Sequence, residues 1–324
     1  MGARAGAHQA RGRAGGGGAG AAAGAGGRIL STGPAHRAGV VALLGRPNAG
    51  KSTLLNRLLG EKLAIVTARP QTTRSRLLGI LHRPDAQLLL VDTPGFLAGG
   101  RPLESAMRAV AEEAARDCDV ALLLVEALRG WEPLHDGWLA RLAARATPVL
   151  LVATQGDRPG AERVPWPPPG VEGAAGALRV SARTGAGIDA LLEQLVPLLP
   201  EAPAFYPGEE LTDRPLRFLA AEAVREAAFE ALAQELPYRI AVEVTDFDES
   251  DPALVRIRAT ILVERASQKR IVIGAGGGQI KAIGIQARRE IERLVGRQVH
   301  LALWVKPEPG WARKPKRLKS LGYC

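Results

Sequence analysis

The sequence predicts a two-domain protein, in which an α/β domain with a mainly parallel sheet and helices on both faces is followed by a smaller α+β domain. Up to about residue 200, short continuous apolar runs alternate with helical stretches, a pattern typical of strands that are buried on both faces and joined by crossover helices. Beyond residue 215, the order changes to a helix, two strands, two helices and a strand. A chain of 324 residues is long enough for two hydrophobic cores.

Five apolar runs are the predicted strands of the first domain. They are residues 40–45 (VVALLG), 86–92 (AQLLLVD), 120–127 (VALLLVEA), 148–154 (PVLLVAT) and 178–182 (LRVSA). The stretch 163–177 (RVPWPPPGVEGAAGA) is too rich in proline and glycine for a helix, and we expect an irregular loop there. A helix predicted over 188–199 closes the domain.

The second domain is predicted from a change in the apolar pattern. Its predicted elements are a helix over 215–235, strands over 238–247 and 254–264, two helices separated by a glycine turn over 267–296, and a strand over 299–305. A polar, proline-containing stretch separates the two domains. The expected boundaries are 39–200 for the first domain, 201–215 for the linker and 216–324 for the second domain with a basic C-terminal tail.

Residues 1–38 are rich in glycine and alanine, with scattered arginines and no acidic residue. Such a composition predicts a disordered extension. An arginine-bearing, acid-free N-terminus is also a feature of organelle transit peptides, which would place the protein in the mitochondrial matrix. The glycine run disfavours that alternative because it would break an amphipathic helix, and we expect a cytoplasmic protein.

Composition excludes several classes of protein. No run of 18 apolar residues is present, so a transmembrane helix is not expected. The two cysteines, Cys118 and Cys324, are far apart, which argues against a disulfide framework. The five histidines show no metal-ligand spacing.

The net charge of +10 is unevenly distributed. Residues 1–38 carry +5, residues 39–255 carry −7, and residues 256–324 carry +12. A basic C-terminal region of this size indicates a polyanionic partner, most simply nucleic acid, although a run of charge is often only a solvated face.

A glycine-rich turn follows the first predicted strand and opens a helix. Residues 45–53, GRPNAGKST, match the phosphate-binding pattern G-x-x-x-x-G-K-[ST] in the context that this motif requires. Lys51 is predicted to reach the β and γ oxygens and Ser52 to supply an oxygen to magnesium, which makes the first domain a P-loop NTPase. The predicted nucleotide contacts of this loop are Gly45, Arg46, Pro47, Asn48, Ala49, Gly50, Lys51, Ser52 and Thr53.

A second motif, VDTPG at 91–95, ends the next long strand and places Asp92 near the same magnesium. The amide of Gly95 is predicted to meet the γ-phosphate. Between the two motifs lies RPQTTRSR (69–76), whose Thr73, in preference to Thr72, is predicted to close onto magnesium when the γ-phosphate is present. The predicted magnesium ligands are Ser52, Thr73 and Asp92, and the predicted nucleotide contacts here are Asp92, Thr93, Pro94, Gly95 and Phe96.

Phe96 stands where Ras-like proteins place a water-positioning glutamine. A phenyl ring cannot orient a water molecule by hydrogen bonding. Hydrolysis is therefore expected to be intrinsically slow, or to be organised by backbone groups or by a monovalent cation held by Asn48.

The C-terminal region contains the turn Gly274-Ala275-Gly276-Gly277 between two predicted helices. This is the GxxG turn of a KH domain, whose backbone clamps about four nucleotides of single-stranded RNA. The alternative is a glycine-hinged helical hairpin without RNA, which the surrounding strand pattern and the basic charge disfavour. The predicted RNA contacts are Lys269, Arg270, Gly274, Ala275, Gly276, Gly277, Lys281 and Arg288.

The order GRPNAGKSTLLN, PQTTR, DTPG, SQKRIVIGAGGGQIKAIG and a final LGY resembles the Era family of GTPases from about residue 39 to 324. The resemblance implies a Ras-like GTPase domain joined to a type II KH domain, with GTP or GDP and Mg²⁺ as ligands. It implies binding near the 3′ end of small-subunit ribosomal RNA and a role in small-subunit maturation. It also implies a monomer, leaves peripheral contact with the inner face of the cell membrane open, and associates Asn48 with K⁺. The implied catalytic residues are Asn48, Lys51, Thr73 and Gly95.

The sequence departs from the family at the guanine-reading loop, where Asn-Lys-x-Asp is replaced by Thr154-Gln155-Gly156-Asp157. Asp157 can still accept from the two N–H groups of guanine. Thr154 is too short to replace the asparagine amide and Gln155 lacks a charge, so binding is expected to weaken on the order of 30-fold to 1,000-fold. The predicted base contacts are Thr154, Gln155, Gly156, Asp157, Ser181 and Ala182.

Three functions are consistent with these motifs. The leading interpretation is a slow, Mg²⁺-dependent GTPase whose nucleotide state controls RNA binding. The first alternative is a non-catalytic RNA-binding assembly factor with a degenerate nucleotide pocket. The second is an ATPase with a KH domain, which Asp157 disfavours.

Overall fold

The computed structural model describes residues 36–67, 69, 72–96 and 101–323. The predicted N-terminal extension lies outside the described residues, apart from residues 36–38 at its end, and so does Cys324. The first strand begins at Arg37, slightly earlier than predicted.

A six-stranded sheet forms the first part of the chain, with the order β2-β3-β1-β4-β5-β6. Its strands are β1 Arg37–Gly45, β2 Leu77–His82, β3 Ala86–Asp92, β4 Val120–Glu126, β5 Val149–Thr154 and β6 Gly176–Arg179. The five predicted strands are present and run parallel, while β2, which the apolar pattern did not predict, pairs antiparallel with β3. The mainly parallel α/β architecture is confirmed.

Four helices cover the two faces of this sheet. They are α1 Lys51–Leu59, α2 Pro102–Asp117, α3 Pro133–Ala143 and α4 Ile188–Leu195. Alternate residues of β1 serve opposite faces: Val41 packs in the layer of α1 and α4, whereas Ala42 packs in the layer of α2 and α3. Burial on both faces explains why these strands are continuous apolar runs.

The parallel strands all end at one edge of the sheet. β1, β3, β4 and β5 finish at Gly45, Asp92, Glu126 and Thr154. The carboxyl edge of an open α/β sheet is where such folds bind ligands. The three motifs of the first domain therefore meet at a single place.

The second part of the chain has the predicted order of elements. It contains α5 Leu216–Ala231, β7 Ile240–Asp248, β8 Leu254–Val263, α6 Ala266–Ile273, α7 Gly278–Val295 and β9 Gln298–Pro307. β7 is antiparallel to β8, and β8 is parallel to β9. Helices α5 and α7 pack on one face of this sheet around Val224, Phe229, Ile283 and Ile291.

The last residues form a folded segment rather than the expected tail. A short 3₁₀ turn at Trp311–Arg313 and helix α8, Pro315–Ser320, follow β9. Trp311, Leu318 and Tyr323 are buried with Ala241 and Leu262 of the second sheet. We call residues 308–323 the C-terminal segment. Nowhere in the described part of the chain is a helix both long and apolar enough to cross a membrane.

Candidate functional site

A cavity of about 440 Å³ opens at the carboxyl edge of the first sheet. Twelve of the predicted nucleotide-site residues line it: Pro47, Asn48, Gly50, Lys51, Ser52, Thr53, Thr73, Gly95, Thr154, Gln155, Asp157 and Ala182. The other predicted residues are not in its lining: Gly45, Arg46, Ala49, Asp92, Thr93, Pro94, Phe96, Gly156 and Ser181. Several of these bond to the lining residues from behind.

Lys51 lies at the floor of the cavity and is 5% exposed. Its ammonium donates to the carbonyl oxygens of Gly45 at 3.2 Å and Arg46 at 2.8 Å, so the loop wraps around it. Burial lowers the pKa of Lys51 from 10.5 to about 8, and the carboxylate of Asp92 opposes that shift. A ligand with negative charge would restore the ammonium's stability, since burial without a partner penalises the charged form.

Three oxygen atoms converge beside Lys51. Ser52 Oγ donates to Asp92 Oδ2 at 2.6 Å, and Thr73 Oγ1 lies 2.9 Å from Ser52 Oγ and 3.3 Å from Asp92 Oδ2. Asp92 is fully buried, and its Oδ1 has no hydrogen-bond partner among the described residues.

This oxygen cluster fits a hard cation. Carboxylate and hydroxyl oxygens are the ligands that Mg²⁺ takes, usually with few protein groups and several phosphate or water oxygens. Burial raises the pKa of Asp92, against the influence of Lys51, and a cation would favour its charged form. Elsewhere in the described ranges, no group of three His, Cys, Asp or Glu side chains could hold a metal.

Gly95 lines the cavity, whereas the neighbouring Phe96 packs in the apolar layer under α3. A Cβ on Gly95 would lie 2.3 Å from the backbone nitrogen of Pro47, so only glycine lets this turn approach the P-loop. The ring of Phe96 stacks on Trp138 of α3, with centroids 4.2 Å apart, while its N–H donates to Gly45 O at 3.0 Å. Phe96 therefore belongs to the apolar layer under α3 and does not line the cavity.

The loop after β5 is bonded to the P-loop. Thr154, expected to be too short to replace an asparagine, has its Oγ1 2.8 Å from Ala49 O and 3.2 Å from Val125 O, and these two carbonyls share its one hydroxyl proton. Gln155, whose backbone has φ 57°, donates through Nε2 to Asn48 O at 3.0 Å. Thr154 and Gln155 therefore bond the loop after β5 to the P-loop. This contact was not predicted from the sequence.

Asp157 is held at the far end of the cavity. Ser181 Oγ donates to its Oδ1 at 2.5 Å, and Arg183 Nε donates to its Oδ2 at 2.7 Å. These two donors, Ser181 first, lower the pKa of Asp157 below its usual value. The Asp157 carboxylate is therefore charged and held in one orientation. Its exposed partner Arg183 was not among the predicted site residues.

The glycine turn of the second domain presents its backbone. Gly274, Gly276 and Gly277 have φ angles of 75°, 58° and 79°. A Cβ on Gly274 would lie 2.6 Å from Gln279 Cβ, so this position needs glycine for space. A Cβ on Gly276 or Gly277 would meet nothing within 4 Å in the described part of the chain, so the space beside the turn is open to a ligand, while the Gly277 N–H itself donates to Gly274 O at 3.2 Å.

Basic and apolar side chains surround this turn. Arg270, Lys281 and Arg288 are exposed, and Lys269 is half-buried. Ile271, which follows Arg270 in the chain, and Trp304 of β9 are also exposed, and neither was among the predicted contacts. An exposed aromatic ring such as that of Trp304 is the kind of side chain on which the bases of single-stranded nucleic acid stack in basic grooves.

Comparison with known proteins identifies both halves of the chain. Residues 40–155 match a family model described as 50S ribosome-binding GTPase, and residues 235–312 match that of the KH domain. The GTPase Era of Xanthomonas campestris pv. campestris strain B100 is 45% identical over 302 residues, which is 91% of this chain and 100% of that protein. The GTPase Era of Geobacter metallireducens is 42% identical over 299 residues, or 89% and 98% of the two chains.

The chain belongs to the Era family of GTPases. Two solved Era structures agree with it. Era in complex with MgGDPNP and nucleotides 1506–1542 of 16S ribosomal RNA superposes with a TM-score of 0.83 at 35% identity, covering 89% of this chain and 99% of that one. A tyrosine-to-alanine variant of Aquifex aeolicus Era bound to GDP·AlF4⁻ gives 0.82 at 35% identity, with the same coverage.

This Era-family cavity also has lining residues that sequence reasoning missed. They include Ile65, Val66 and Thr67 from the loop after α1, with Glu126, Arg158 and Arg183 on the base side. Arg183 had a local signal because it directly follows the predicted Ser181-Ala182 pair. The residues 65–67 carry no motif and reach the cavity only through the path of the loop.

Proposed function

We propose that this Era-family protein is a Mg²⁺-dependent, slow GTPase that binds small-subunit ribosomal RNA near its 3′ end and acts in assembly of the small ribosomal subunit. One observation carries the nucleotide part: a single cavity is lined by Lys51, by the Ser52 and Thr73 hydroxyls with the buried Asp92 behind them, and by the charged Asp157. The phosphate groups and the base of one nucleotide would be recognised at opposite ends.

Each group has a chemical role. Lys51 and the amides at the start of α1 would bind phosphate oxygens, and Asp157 would accept the two N–H groups that guanine offers and adenine lacks. Ser52, Thr73 and Asp92 would hold Mg²⁺, which neutralises charge on the β and γ oxygens when bound. Gly95 lines the cavity, and its N–H would donate to the γ-phosphate.

Slow hydrolysis follows from the position of Phe96. Its ring is stacked on Trp138 and offers no group that could orient water. Asn48 lines the cavity, with φ 65°, and is the residue we assign to K⁺. A faster turnover in K⁺ than in Na⁺, lost in Asn48→Ala, is the expected result.

The RNA part rests on the GxxG backbone and the surrounding basic side chains. The solved Era structure that superposes on this chain contains nucleotides 1506–1542 of 16S ribosomal RNA. We expect the protein to act as a monomer in the cytoplasm, where ribosomal subunits assemble. Co-sedimentation with anionic vesicles, in competition with RNA, tests peripheral membrane contact of the basic C-terminal region.

The first experiment is a titration of the full-length protein with fluorescent GTP, GDP and ATP analogues in Mg²⁺ and K⁺. We expect guanine-selective binding, tightened in a Thr154→Asn/Gln155→Lys double variant. Lys51→Ala should abolish binding while the circular dichroism spectrum stays unchanged. Absence of binding at millimolar nucleotide would favour a non-catalytic RNA-binding factor, and tighter binding of ATP than of GTP would favour an ATPase.

A further inference from the structure

Arg74 is buried, although it belongs to the polar loop that follows α1 and is only 2% exposed. Its guanidinium reaches into the second domain. Nη1 donates to Ile240 O at 2.6 Å, and Nη2 donates to Pro237 O at 3.2 Å and Tyr238 O at 3.0 Å. The acceptors are the backbone carbonyls at the start of β7 and in the turn before it.

Two aromatic rings also contact the Arg74 guanidinium, and together with the three carbonyls they form what we call the Arg74 receptor. The Arg74 guanidinium lies 5.6 Å from the ring centroid of Phe229 on α5 and 5.7 Å from that of Tyr323 in the C-terminal segment. Both distances are within the range of cation–π attraction. Three separate parts of the second domain therefore build a site that fits a planar, multiply donating cation, which lysine could not replace.

A second contact holds the other end of the same loop. Glu226 of α5 accepts from Val66 N at 3.1 Å and from Lys62 Nζ at 2.8 Å. Glu226 is 6% exposed, whereas the Lys62 side chain is 42% exposed, so the carboxylate is buried and the ammonium keeps contact with water. The loop between Lys62 and Arg74 is thus bonded to the RNA-binding domain at both ends.

Described residues close to each of these two contacts line the nucleotide cavity. Ile65, Val66, Thr67, Thr72 and Thr73 all line it. Thr73 immediately precedes Arg74, and its hydroxyl lies 2.9 Å from Ser52 Oγ and 3.3 Å from Asp92 Oδ2. Consecutive Cα atoms are about 3.8 Å apart. The distance that Thr73 can move away from Ser52 and Asp92 is therefore limited while Arg74 stays in its receptor.

We propose that Arg74 is a positioning residue through which the RNA-binding domain holds Thr73 at the cation site, and that this contact favours GTP over GDP. The inference rests on the proposed function. GTPase switch segments are ordered by contacts with the γ-phosphate and Mg²⁺ and released on hydrolysis, so a contact that holds Thr73 in place would stabilise the triphosphate-bound protein selectively. Coupling of this kind is reciprocal, so GTP also favours the domain arrangement in which Arg74 is seated.

The test compares Arg74→Ala and Arg74→Lys with the unmodified protein in full-length form. Affinities for GDP and for a non-hydrolysable GTP analogue are measured in Mg²⁺. We expect Arg74→Ala to lower the ratio of GTP-analogue affinity to GDP affinity roughly 10-fold, within the usual range of coupling between sites. Arg74→Lys should lower it less, and the Mg²⁺ concentration needed for half-maximal binding of the GTP analogue should rise in both variants.

Arg76→Ala is the matched control, because Arg76 belongs to the same loop and is exposed. It should leave the affinity ratio unchanged. An equal loss of both affinities in the Arg74 variants, or an unchanged ratio, would overturn the proposal while leaving the GTPase assignment intact. Failure of the unmodified protein to bind guanine nucleotide would instead overturn the proposed function and this inference together. If Arg74→Ala does not fold, the ratio in Arg74→Lys decides.

Discussion

Lys51 is an ammonium with a pKa of about 8, which burial lowers and Asp92 raises, and it donates to the carbonyl oxygens of Gly45 and Arg46. Nucleotide binding requires its charged form, and the fraction of charged Lys51 falls as the pH rises through that value. We therefore expect GDP affinity to be flat below pH 7 and to fall roughly 10-fold between pH 7 and pH 9. Isothermal titration calorimetry at closely spaced pH values measures this.

Lys51→Arg separates this titration from that of the nucleotide, because a guanidinium stays charged throughout the range. Its GDP affinity, even if weaker, should depend less on pH. A parallel decline in both proteins would assign the effect to the ligand and not to Lys51.

Thr154 makes a stabilising hydrogen bond that could be recognised only in the structure. Its buried hydroxyl has one proton, which is shared between Ala49 O and Val125 O, and Thr154→Val would remove this donor from both carbonyl oxygens. We expect the free energy of unfolding to fall by about 1–3 kcal/mol, as measured by urea denaturation. Thr245→Val removes an exposed hydroxyl that donates to Arg258 O at 3.2 Å and should cost less than about 0.5 kcal/mol. Equal effects would contradict the assigned role of burial.

At the scale of elements, the glycine turn between α6 and α7 carries the clearest prediction. Gly277→Asp places a negative charge where RNA phosphate is expected, with Gly277→Asn as an isosteric neutral control that also tolerates positive φ. RNA affinity should fall roughly 10-fold or more in the aspartate variant and much less in the asparagine variant. The difference should shrink as salt rises, because phosphate contacts are electrostatic. Similar losses in both variants would indicate strain in the turn rather than charge.

The buried strands and the motif-bearing turns could be predicted because local sequence encodes them. A strand covered on both faces needs a continuous apolar run, and the P-loop needs glycines at set positions. Strand β2 escaped notice because Gly79 interrupts its short apolar run. A Cβ there would lie 2.7 Å from Leu55 Cδ1 and 2.8 Å from Leu59 Cδ1, so a side chain at this position would require the ends of these α1 leucines to shift.

The contacts between domains had no such local signal. Arg74 in a polar loop looks like a solvent-exposed charge, and its burial depends on carbonyls more than 160 residues away in the chain. Glu226 on α5 is similar, because its partners Lys62 and Val66 lie in the other domain. Sequence patterns of period two or 3.6 describe a single element and cannot encode such pairs.

On the scale of the whole molecule, the C-terminal segment joins the two domains. Trp311 is fully buried against the second sheet, and Leu103 and Ala106 of α2 pack against the same cluster. Trp311→Ala should lower the free energy of unfolding by about 3–5 kcal/mol, as expected for a large buried side chain. Chemical denaturation monitored by circular dichroism tests this.

Trp311→Phe should cost clearly less, because it keeps most of the buried ring and removes an indole N–H that has no partner among the described residues. If phenylalanine and alanine destabilise the protein equally, the cluster does not depend on filling this volume.

The chain between the domains does more than connect them. Leu211 O accepts from Ile80 N at 2.9 Å, Glu210 O lies 2.8 Å from His82 Nε2, and Gln87 bonds the backbone of residues 205 and 206. This polypeptide therefore occupies hydrogen-bonding groups of β2, the outer strand of the first sheet, which would otherwise be open to pairing with a strand from another molecule. The linker therefore protects an edge strand as well as connecting the domains. Shortening or cutting it would expose the unpaired backbone groups of β2 and favour aggregation.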